Sequence, residues 1–356
     1  VCFSRLVKAL RGGIDPATVD GVAYKPEVFE RLNLVGESHK AHNLGVQKQD
    51  SSTILVPKTN FTTDLEEFPW PDRSNYDMDF YASKVRHFVH RFEYGNTMRL
   101  ASMTASRGCP FSCSFCASKD FWGNQIRYRN PKDVVAEMKQ LANQFDINTF
   151  IFNDDNLFFD SRAVYALCNE IVKQGLNIRW FAGGGIQVSG LKKQEVVRAV
   201  IESGLRQFNL AIESGDSEVL KRIHKPLKDA EVIEEVISNI RQYDDVWIQG
   251  FFISGFWFQT IEEIIKSYEY SGALDLDWRG YYSFAPLPGT EDYKTCVERG
   301  YIKDFQSFDC EYSEEMISLS TENFTSDQIH HLNYGANLEH NFINNRNPKH
   351  HRIKRG

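Results

Sequence analysis

The sequence predicts an α/β fold built from six consecutive β/α units over residues 99–300. Short apolar runs alternate there with amphipathic runs, and each apolar run is nearly continuous, as expected for a parallel strand buried on both faces. The last five runs begin 29, 29, 40 and 33 residues apart, close to the roughly 30 residues that one strand, one helix and two loops need. The strand candidates are residues 99–105, 148–153, 177–182, 206–211, 246–253 and 279–285.

The predicted helices between these strands begin at recognisable residues. Asn130 precedes Pro131, which places a capping side chain before a proline at the first helical position. Thr260 and Glu263 have the spacing of a capping box. Three further stripes of apolar residues at helical spacing lie at residues 164–172, 191–203 and 232–240.

The composition is that of an ordinary globular protein. Of 356 residues, 42% are hydrophobic and 25% are charged, which excludes a largely disordered chain. The formal net charge of −7 gives no general attraction to phosphate backbones, so we expect no nucleic-acid partner. The longest apolar run, residues 246–258, is too short to span a bilayer, and no signal-peptide pattern opens the chain. We therefore expect a cytoplasmic protein without a membrane span.

Three of the seven cysteines, Cys109, Cys113 and Cys116, lie within eight residues directly after the first predicted strand. A structural zinc site and a ferredoxin-type cluster each need four ligands, and no fourth cysteine is near. Cys168 falls on an apolar helical stripe, where a buried thiol is expected. Three thiolates on a four-iron cluster would leave one iron open to a substrate or cofactor. Active sites of parallel β/α folds form at the carboxyl ends of strands, where this loop lies.

Three other interpretations of these cysteines stay open. They could be unrelated residues of a loop. A structural zinc protein or RNA-binding module would need a distant fourth ligand and a basic face. The net negative charge of the chain argues against a basic face. A simple iron–sulfur electron carrier would need four cysteines and no large barrel.

With Phe115 before the last cysteine, the spacing C-x-x-x-C-x-x-C resembles the signature of the radical S-adenosylmethionine (SAM) superfamily. The resemblance covers about residues 97–300 and implies a partial (β/α)6 TIM-like barrel. It implies that Cys109, Cys113 and Cys116 hold a [4Fe–4S] cluster whose open iron chelates the amino and carboxylate groups of SAM. One electron from the reduced cluster would then cleave SAM and release a 5′-deoxyadenosyl radical. A reductase, flavodoxin or ferredoxin would supply that electron.

Polar residues after three of the strands are further candidates for contacts with SAM. By the resemblance, Asp154 and Asp155 after the second strand would accept hydrogen bonds from the SAM ammonium. Glu213 and Ser214 after the fourth strand would lie near the ribose and methionine parts, with Glu213 as a hydroxyl acceptor. Gln187 follows a run of three glycines after the third strand, which would let the backbone approach a ligand. Both acidic turns also fit a simpler role as polar turns that cap the next helix.

Two later turns are expected to have structural roles. Residues 286–290 resemble the Pro-x-Pro-Gly-Thr ending of many radical SAM cores, and we expect a rigid turn that closes the barrel edge. Residues 255–260 replace the Gly-x-Pro-Gly-Glu-Thr turn of relatives by an aromatic one, which puts a SAM contact there in doubt. We expect Trp257 and Phe258 to pack on a neighbouring segment.

The region before the core resembles parts of the cobalamin-linked radical SAM group. Residues 6–13 and 19–24 are similar to the exit from an N-terminal cobalamin-binding domain, and residues 68–73 to the linker before the core. The Asp-x-His-x-x-Gly motif of that domain is absent, so we expect tight cobalamin binding only if an upstream domain is supplied. A truncated chain and a member without the domain both stay open as explanations.

These resemblances divide the chain into three parts. Residues 1–95 are an N-terminal segment resembling the exit and linker of a cobalamin-binding domain, residues 96–300 the radical SAM core, and residues 301–356 a C-terminal extension. The cobalamin-linked group includes methyltransferases and ring-forming enzymes. We therefore expect a methyl transfer or ring formation on a small-molecule, lipid or natural-product substrate. The alternative is a structural zinc or iron–sulfur protein without radical catalysis.

Overall fold

The computed structural model describes residues 61–84, 98–226, 229–302 and 319–344, together with short pieces within residues 2–55. The chain divides into two compact units, Val1–Leu65 and Glu66–Gly356. In the first unit a helix spans Cys2–Arg11, and three two-residue strands form an antiparallel sheet. In sheet order these strands are Ala23–Tyr24, Ile54–Leu55 and Gln47–Lys48.

The second unit contains a sheet of six parallel strands. They are β1 (Leu100–Met103), β2 (Thr149–Phe152), β3 (Arg179–Ala182), β4 (Leu205–Glu213), β5 (Trp247–Ser254) and β6 (Trp278–Ser283). The strands lie side by side in the order of the sequence, so β1 and β6 form the two edges. Each predicted strand overlaps one strand of this sheet, and the predicted α/β fold with six β/α units is confirmed.

The helices between the strands begin close to where the sequence predicts. They are α1 (Pro131–Phe145), α2 (Ser161–Lys173), α3 (Gln194–Glu202), α4 (Ala230–Arg241) and α5 (Ile261–Ala273). The Asn130 side chain accepts a hydrogen bond from the Lys132 backbone N–H, and Thr260 and Glu263 form the predicted capping box. The helix predicted over residues 191–203 is present but shorter, as α3, and a separate 3-10 turn, Val188–Leu191, precedes it. Both pieces bury apolar side chains in the same core, so they share one stripe in the sequence.

The sequence does not predict the short helix Ser217–Arg222, which lies between β4 and α4. Asp216 starts it by accepting hydrogen bonds from the backbone N–H groups of Glu218 and Val219. Six residues make fewer than two helical turns, too few for an apolar period to stand out. This helix matters for the site because the residues after it contact the cysteine loop.

The hydrophobic core lies between the sheet and the helices. Phe150, Trp180 and Phe208 are fully buried there against the apolar stripes of the helices. Full burial of a side chain of this kind contributes about 1.5–3 kcal/mol. Successive strand residues point to opposite faces, so Gln207 and Asn209, on either side of Phe208, belong to the other face of the sheet. Their buried amides hydrogen bond to each other.

The helices that follow β6 extend the unit beyond the last strand. They are α6 (Glu291–Glu298) and α7 (Ser326–Asn337), which continues into a π-helix at Leu338–Ile343. Asn341 of the π-helix hydrogen bonds to both the backbone N–H and the carbonyl of Arg279 in β6. These contacts use backbone groups that an open sheet edge would leave unpaired.

Parts of the predicted C-terminal extension, residues 303–318 and 345–356, lie outside the described residues. In the described part of the chain, no helix combines the length and the apolar character needed to cross a membrane.

Candidate functional site

The three predicted cluster ligands lie on one loop at the carboxyl end of β1. Ser106–Arg107 pairs with Arg127–Tyr128 as a short antiparallel ribbon, so the loop of residues 108–126 leaves and returns at the same place. Cys109, Cys113 and Cys116 are free, partly buried cysteines of this loop. We call residues 108–126 the cysteine loop.

The start of the cysteine loop depends on a glycine and on a stacked arginine. Gly108 has a φ of +91°, and a Cβ atom there would collide with the carbonyl oxygen of Gln125. The guanidinium of Arg107 lies 5.1 Å from the ring centre of Phe68 and 5.2 Å from that of Trp122. The residues around position 68, which resemble a linker in the sequence, therefore contact the base of the loop.

Asp154, predicted to bind the SAM ammonium, is buried and holds the backbone at the end of β1. Its carboxylate accepts hydrogen bonds from the backbone N–H of Ala105 at 3.1 Å, from the Ser106 hydroxyl at 2.6 Å and from the Ser106 backbone N–H. Burial raises the pKa of this carboxyl to about 7, and the hydrogen bonds oppose that shift. The structure thus gives Asp154 a positioning role, and its contact with SAM stays a prediction.

The next two residues also contact the cysteine loop. Asp155 accepts hydrogen bonds from the Gly108 backbone N–H at 3.3 Å and from the Ser118 hydroxyl at 2.6 Å. The Asn156 side-chain amide donates to the Cys109 sulfur at 3.5 Å. Asn156 was not among the predicted site residues, although it belongs to the same polar turn. The turn after β2 therefore holds the chain just before the cysteine loop, at Ala105 and Ser106, and the loop itself at Gly108, Cys109 and Ser118.

The turn after β4 contains a buried ion pair. Glu213 has a φ of +69° and accepts a hydrogen bond from the Lys225 ammonium at 2.7 Å. The side chains are only 10% and 7% exposed, respectively. Ser214 is fully buried, and its hydroxyl accepts a hydrogen bond from the Asp216 backbone N–H. The sequence gives no sign of Lys225, because it follows the unpredicted short helix. The predicted contacts of Glu213 and Ser214 with SAM stay predictions.

Burial disfavours the thiolate form of two of these cysteines, Cys109 and Cys113. Burial raises the pKa of Cys113 to about 11, and it also raises the pKa of Cys109. Neighbouring thiolates of the triad raise both pKa values further, whereas the Lys225 ammonium lowers that of Cys113. The Cys113 sulfur also lies 4.0 Å from the His224 carbonyl oxygen. Such thiols become stable thiolates when they bind a cationic centre.

Phe115 packs into an apolar cluster beneath the loop. Its ring centre lies 5.6 Å from that of Phe256, which is fully buried in the aromatic turn after β5. Phe258 of the same turn stacks on Phe256 and lies 3.6 Å below the Arg222 guanidinium. Trp257 packs at the edge of this cluster. The expected packing role of the aromatic turn is confirmed by these contacts, and a cofactor contact of Phe115 stays a prediction.

Gln187 is buried, and its side-chain nitrogen has no hydrogen-bond partner. The glycines before it are explained by protein contacts. A Cβ atom at Gly183 would lie 2.7 Å from the Asn153 side-chain oxygen, and one at Gly184 would lie 2.6 Å from the Asp154 carbonyl oxygen. The close approach that these glycines permit is therefore to the turn after β2. The predicted role of Gln187 in cofactor binding stays a prediction.

Comparisons with known sequences agree with this geometry. The family model described as the radical SAM superfamily matches residues 103–270. The cytidylyl-2-hydroxyethylphosphonate methyltransferase of Streptomyces wedmorensis is 26% identical over 316 residues, which are 86% of this chain and 57% of that protein. The anaerobic magnesium-protoporphyrin IX monomethyl ester cyclase of Cereibacter sphaeroides is 27% identical over 214 residues, 59% of this chain and 34% of that protein. The chain thus spans between a third and three fifths of these two relatives.

Solved structures share the fold. The radical SAM methyltransferase TsrM from Kitasatospora setae superposes with a TM-score of 0.61 at 17% identity, over 85% of this chain and 53% of that one. The cobalamin-dependent SAM radical enzyme OxsB superposes with a TM-score of 0.65 at 14% identity, over 94% of this chain and 48% of that one. Residues 103–270 thus match the radical SAM superfamily, and both the placement of the three cysteines and the shared fold agree with that match.

Proposed function

We propose that this chain is the radical-generating part of an enzyme that cleaves SAM reductively. The observation that carries the proposal is the set of three thiols on one loop at the carboxyl end of β1. The turn after β2 holds that loop and the residues just before it: Asp154 and Asp155 accept hydrogen bonds from backbone N–H groups, and the Asn156 amide donates to the Cys109 sulfur.

Three thiols fit a cluster with one open iron better than a structural zinc ion, which takes four protein ligands. Across the described residues, no three His, Cys, Asp or Glu side chains are arranged to hold a single metal ion. The other two cysteines with described side chains, Cys168 and Cys296, are buried in hydrophobic clusters. Cys109, Cys113 and Cys116 would therefore ligate three irons of a [4Fe–4S] cluster and leave the fourth iron to SAM.

The chain's own residues prepare the site in two ways. Asp154 and Asp155 fix the backbone that carries Cys109. Phe115 packs on Phe256, and this apolar contact excludes water from the side of the cysteine loop that faces the aromatic turn. When bound, a reduced cluster would supply the electron that cleaves SAM and releases a 5′-deoxyadenosyl radical. Asp154, Asp155, Glu213, Ser214 and Gln187 remain the proposed surroundings of SAM.

We further propose that the radical serves a methyl transfer or a ring closure on a small-molecule, lipid or natural-product substrate. Support comes from the names of the relatives, which include methyltransferases and a cyclase. A reductase, flavodoxin or ferredoxin would donate the electron. Cobalamin, named in the titles of related structures, would be a cofactor of this chain only together with a domain that binds it. The proposed parts are residues 1–95, 96–300 and 301–356.

Anaerobic purification and reconstitution test the proposal. We expect brown protein with about four irons and matching sulfide per chain, and slow release of 5′-deoxyadenosine after reduction with SAM. The variants Cys109→Ala, Cys113→Ala and Cys116→Ala should each lose the cluster and this release. Cys168→Ala is the matched control, because its thiol is equally free but lies on the buried, core-facing side of α2. Colourless protein with zinc, or a full SAM-responsive cluster in any of the three variants, would refute the proposal.

A further inference from the structure

The middle of the cysteine loop is held by α6, the helix that follows the last strand. Ser114 lies between two of the predicted ligands and is only 4% exposed. Its hydroxyl donates to the Asp292 carboxylate at 2.7 Å, and its carbonyl accepts from the Asp292 backbone N–H at 3.1 Å. Its own backbone N–H donates to the Ile223 carbonyl at 3.1 Å. Every polar group of Ser114 is therefore used to fix its place.

Asp292 is itself fixed. It lies in the first turn of α6, is 4% exposed, and accepts a second hydrogen bond from the Trp257 indole N–H at 2.9 Å. A hydrogen bond to an ionised carboxylate is roughly twice as strong as one between neutral groups. The carboxylate thus joins the cysteine loop to the turn after β5 and to α6.

This connection crosses the open side of the sheet. The cysteine loop leaves β1, one edge strand, whereas α6 follows β6, the other edge strand. No strand pairing joins β1 to β6 within this six-stranded sheet. A second close approach lies nearby, since a Cβ atom at Gly289, in the turn before α6, would be 3.1 Å from the Asp120 carboxylate of the loop. The loop is therefore the place where the two ends of the parallel sheet meet.

We propose that Asp292 is a positioning residue that sets Cys113 and Cys116 by holding Ser114, and that it couples cluster binding to the folding of α6. The inference rests on the proposed function, because it needs a cluster at these cysteines. Ser114 is the neighbour of Cys113 and lies two residues before Cys116, so its displacement moves both thiols. Since only the loop held by α6 presents the ligands correctly, a cluster that binds this state must also stabilise α6.

The variants Ser114→Ala and Asp292→Ala test the proposal, with Glu291→Gln as the control. Glu291 is also an acid in the first turn of α6 but is exposed and does not contact Ser114. Iron release to a chelator should be about tenfold faster in each test variant than in the native protein. The double variant should lose iron no faster than the worse single variant, because the same contact is lost. Ser114→Ala removes only one hydroxyl group, so the proposal can still be tested with this variant if Asp292→Ala does not fold.

Two measurements separate positioning from general destabilisation. The electron paramagnetic resonance spectrum of the reduced cluster, and its change on adding SAM, should differ from the native one in Ser114→Ala and Asp292→Ala but not in Glu291→Gln. Hydrogen exchange of the α6 amides should slow when the cluster is assembled in the native protein and in Glu291→Gln, but not in Asp292→Ala. If both test variants match the native protein in iron release, spectra and hydrogen exchange, the inference about Asp292 is wrong. The proposed function is unaffected by that result. Native protein that assembles no iron cluster would refute the proposed function and the inference with it.

Discussion

Replacement of Lys225 by methionine should destabilise the protein far more than the loss of an ordinary surface ion pair. The Lys225 ammonium and the Glu213 carboxylate lie 2.7 Å apart and are 7% and 10% exposed. Lys225→Met keeps the shape of the side chain but leaves a buried carboxylate without its cation, which costs about 3–5 kcal/mol. With a urea m-value of about 3 kcal/mol/M, the unfolding midpoint of the cluster-free protein should fall by about 1–1.7 M. Circular dichroism in urea measures this midpoint.

The controls for this prediction lie close to the pair. Lys221 is 53% exposed and pairs with Glu218, which is 67% exposed, so Lys221→Met should cost less than about 1 kcal/mol. The double variant Lys225→Met, Glu213→Gln should recover most of the loss, because no unpaired charge remains buried. If Lys225→Met and Lys221→Met shift the midpoint equally, or if the double variant is the least stable of the set, the reasoning is wrong.

Three further predictions concern the loop and the helices. Phe68→Leu should lower the free energy of unfolding by about 1 kcal/mol, because it removes one of the two rings that stack on the Arg107 guanidinium. Urea unfolding of this single variant, in which the second ring, Trp122, is unchanged, measures the loss. Since burial raises the pKa of Asp154 from 3.8 to about 7, the folded protein binds a proton more tightly than the unfolded chain. The contribution of Asp154 to stability is therefore complete below about pH 4 and is lost as the pH rises through about 7, and thermal unfolding at several pH values should show a flatter profile in Asp154→Asn. Thr260→Ala should cost about 1 kcal/mol through loss of the capping box, and an unchanged melting temperature would contradict that estimate.

The sheet and its helices follow from local patterns in the sequence. Most strand residues are apolar because helices cover one face of the sheet and the other face is also largely buried, although that other face carries polar residues such as Gln207 and Asn209. Asn130 and Thr260 start their helices as predicted because a capping hydrogen bond depends only on residues within one turn. The short helix Ser217–Arg222 escaped prediction because its start at Asp216 is a single capping residue without a long periodic stripe behind it.

The partners of the site residues could not be predicted in the same way. A polar turn at the carboxyl end of a strand has the same composition whether it binds a ligand or holds a neighbouring loop. Asp154 and Asp155 lie where the sequence places them. Asp154, however, accepts its hydrogen bonds from Ala105 and Ser106 just before the cysteine loop, and Asp155 accepts them from Gly108 and Ser118 within it. Apart from the short helix Ser118–Trp122, the loop of residues 108–126 has many backbone groups that no strand or helix satisfies, and those that are buried need partners from elsewhere.

The contact between Ser114 and Asp292 shows the limit of local inference most clearly, since 178 residues separate the two in the chain. A parallel sheet brings the carboxyl ends of all its strands to one edge, so the loop after β1 can meet any segment that follows β2 to β6. The sequence therefore predicts which segments surround the cysteine loop but not which side chains contact it, because side-chain contacts depend on the lengths of the turns. Here a six-residue helix after β4 brings Ile223 and His224 to the loop, and a tight turn at Gly289 brings Asp292 to it. A change of one residue in the length of either turn would move these partners away, so the lengths of both turns should matter to cluster binding as much as the cysteines' own spacing does.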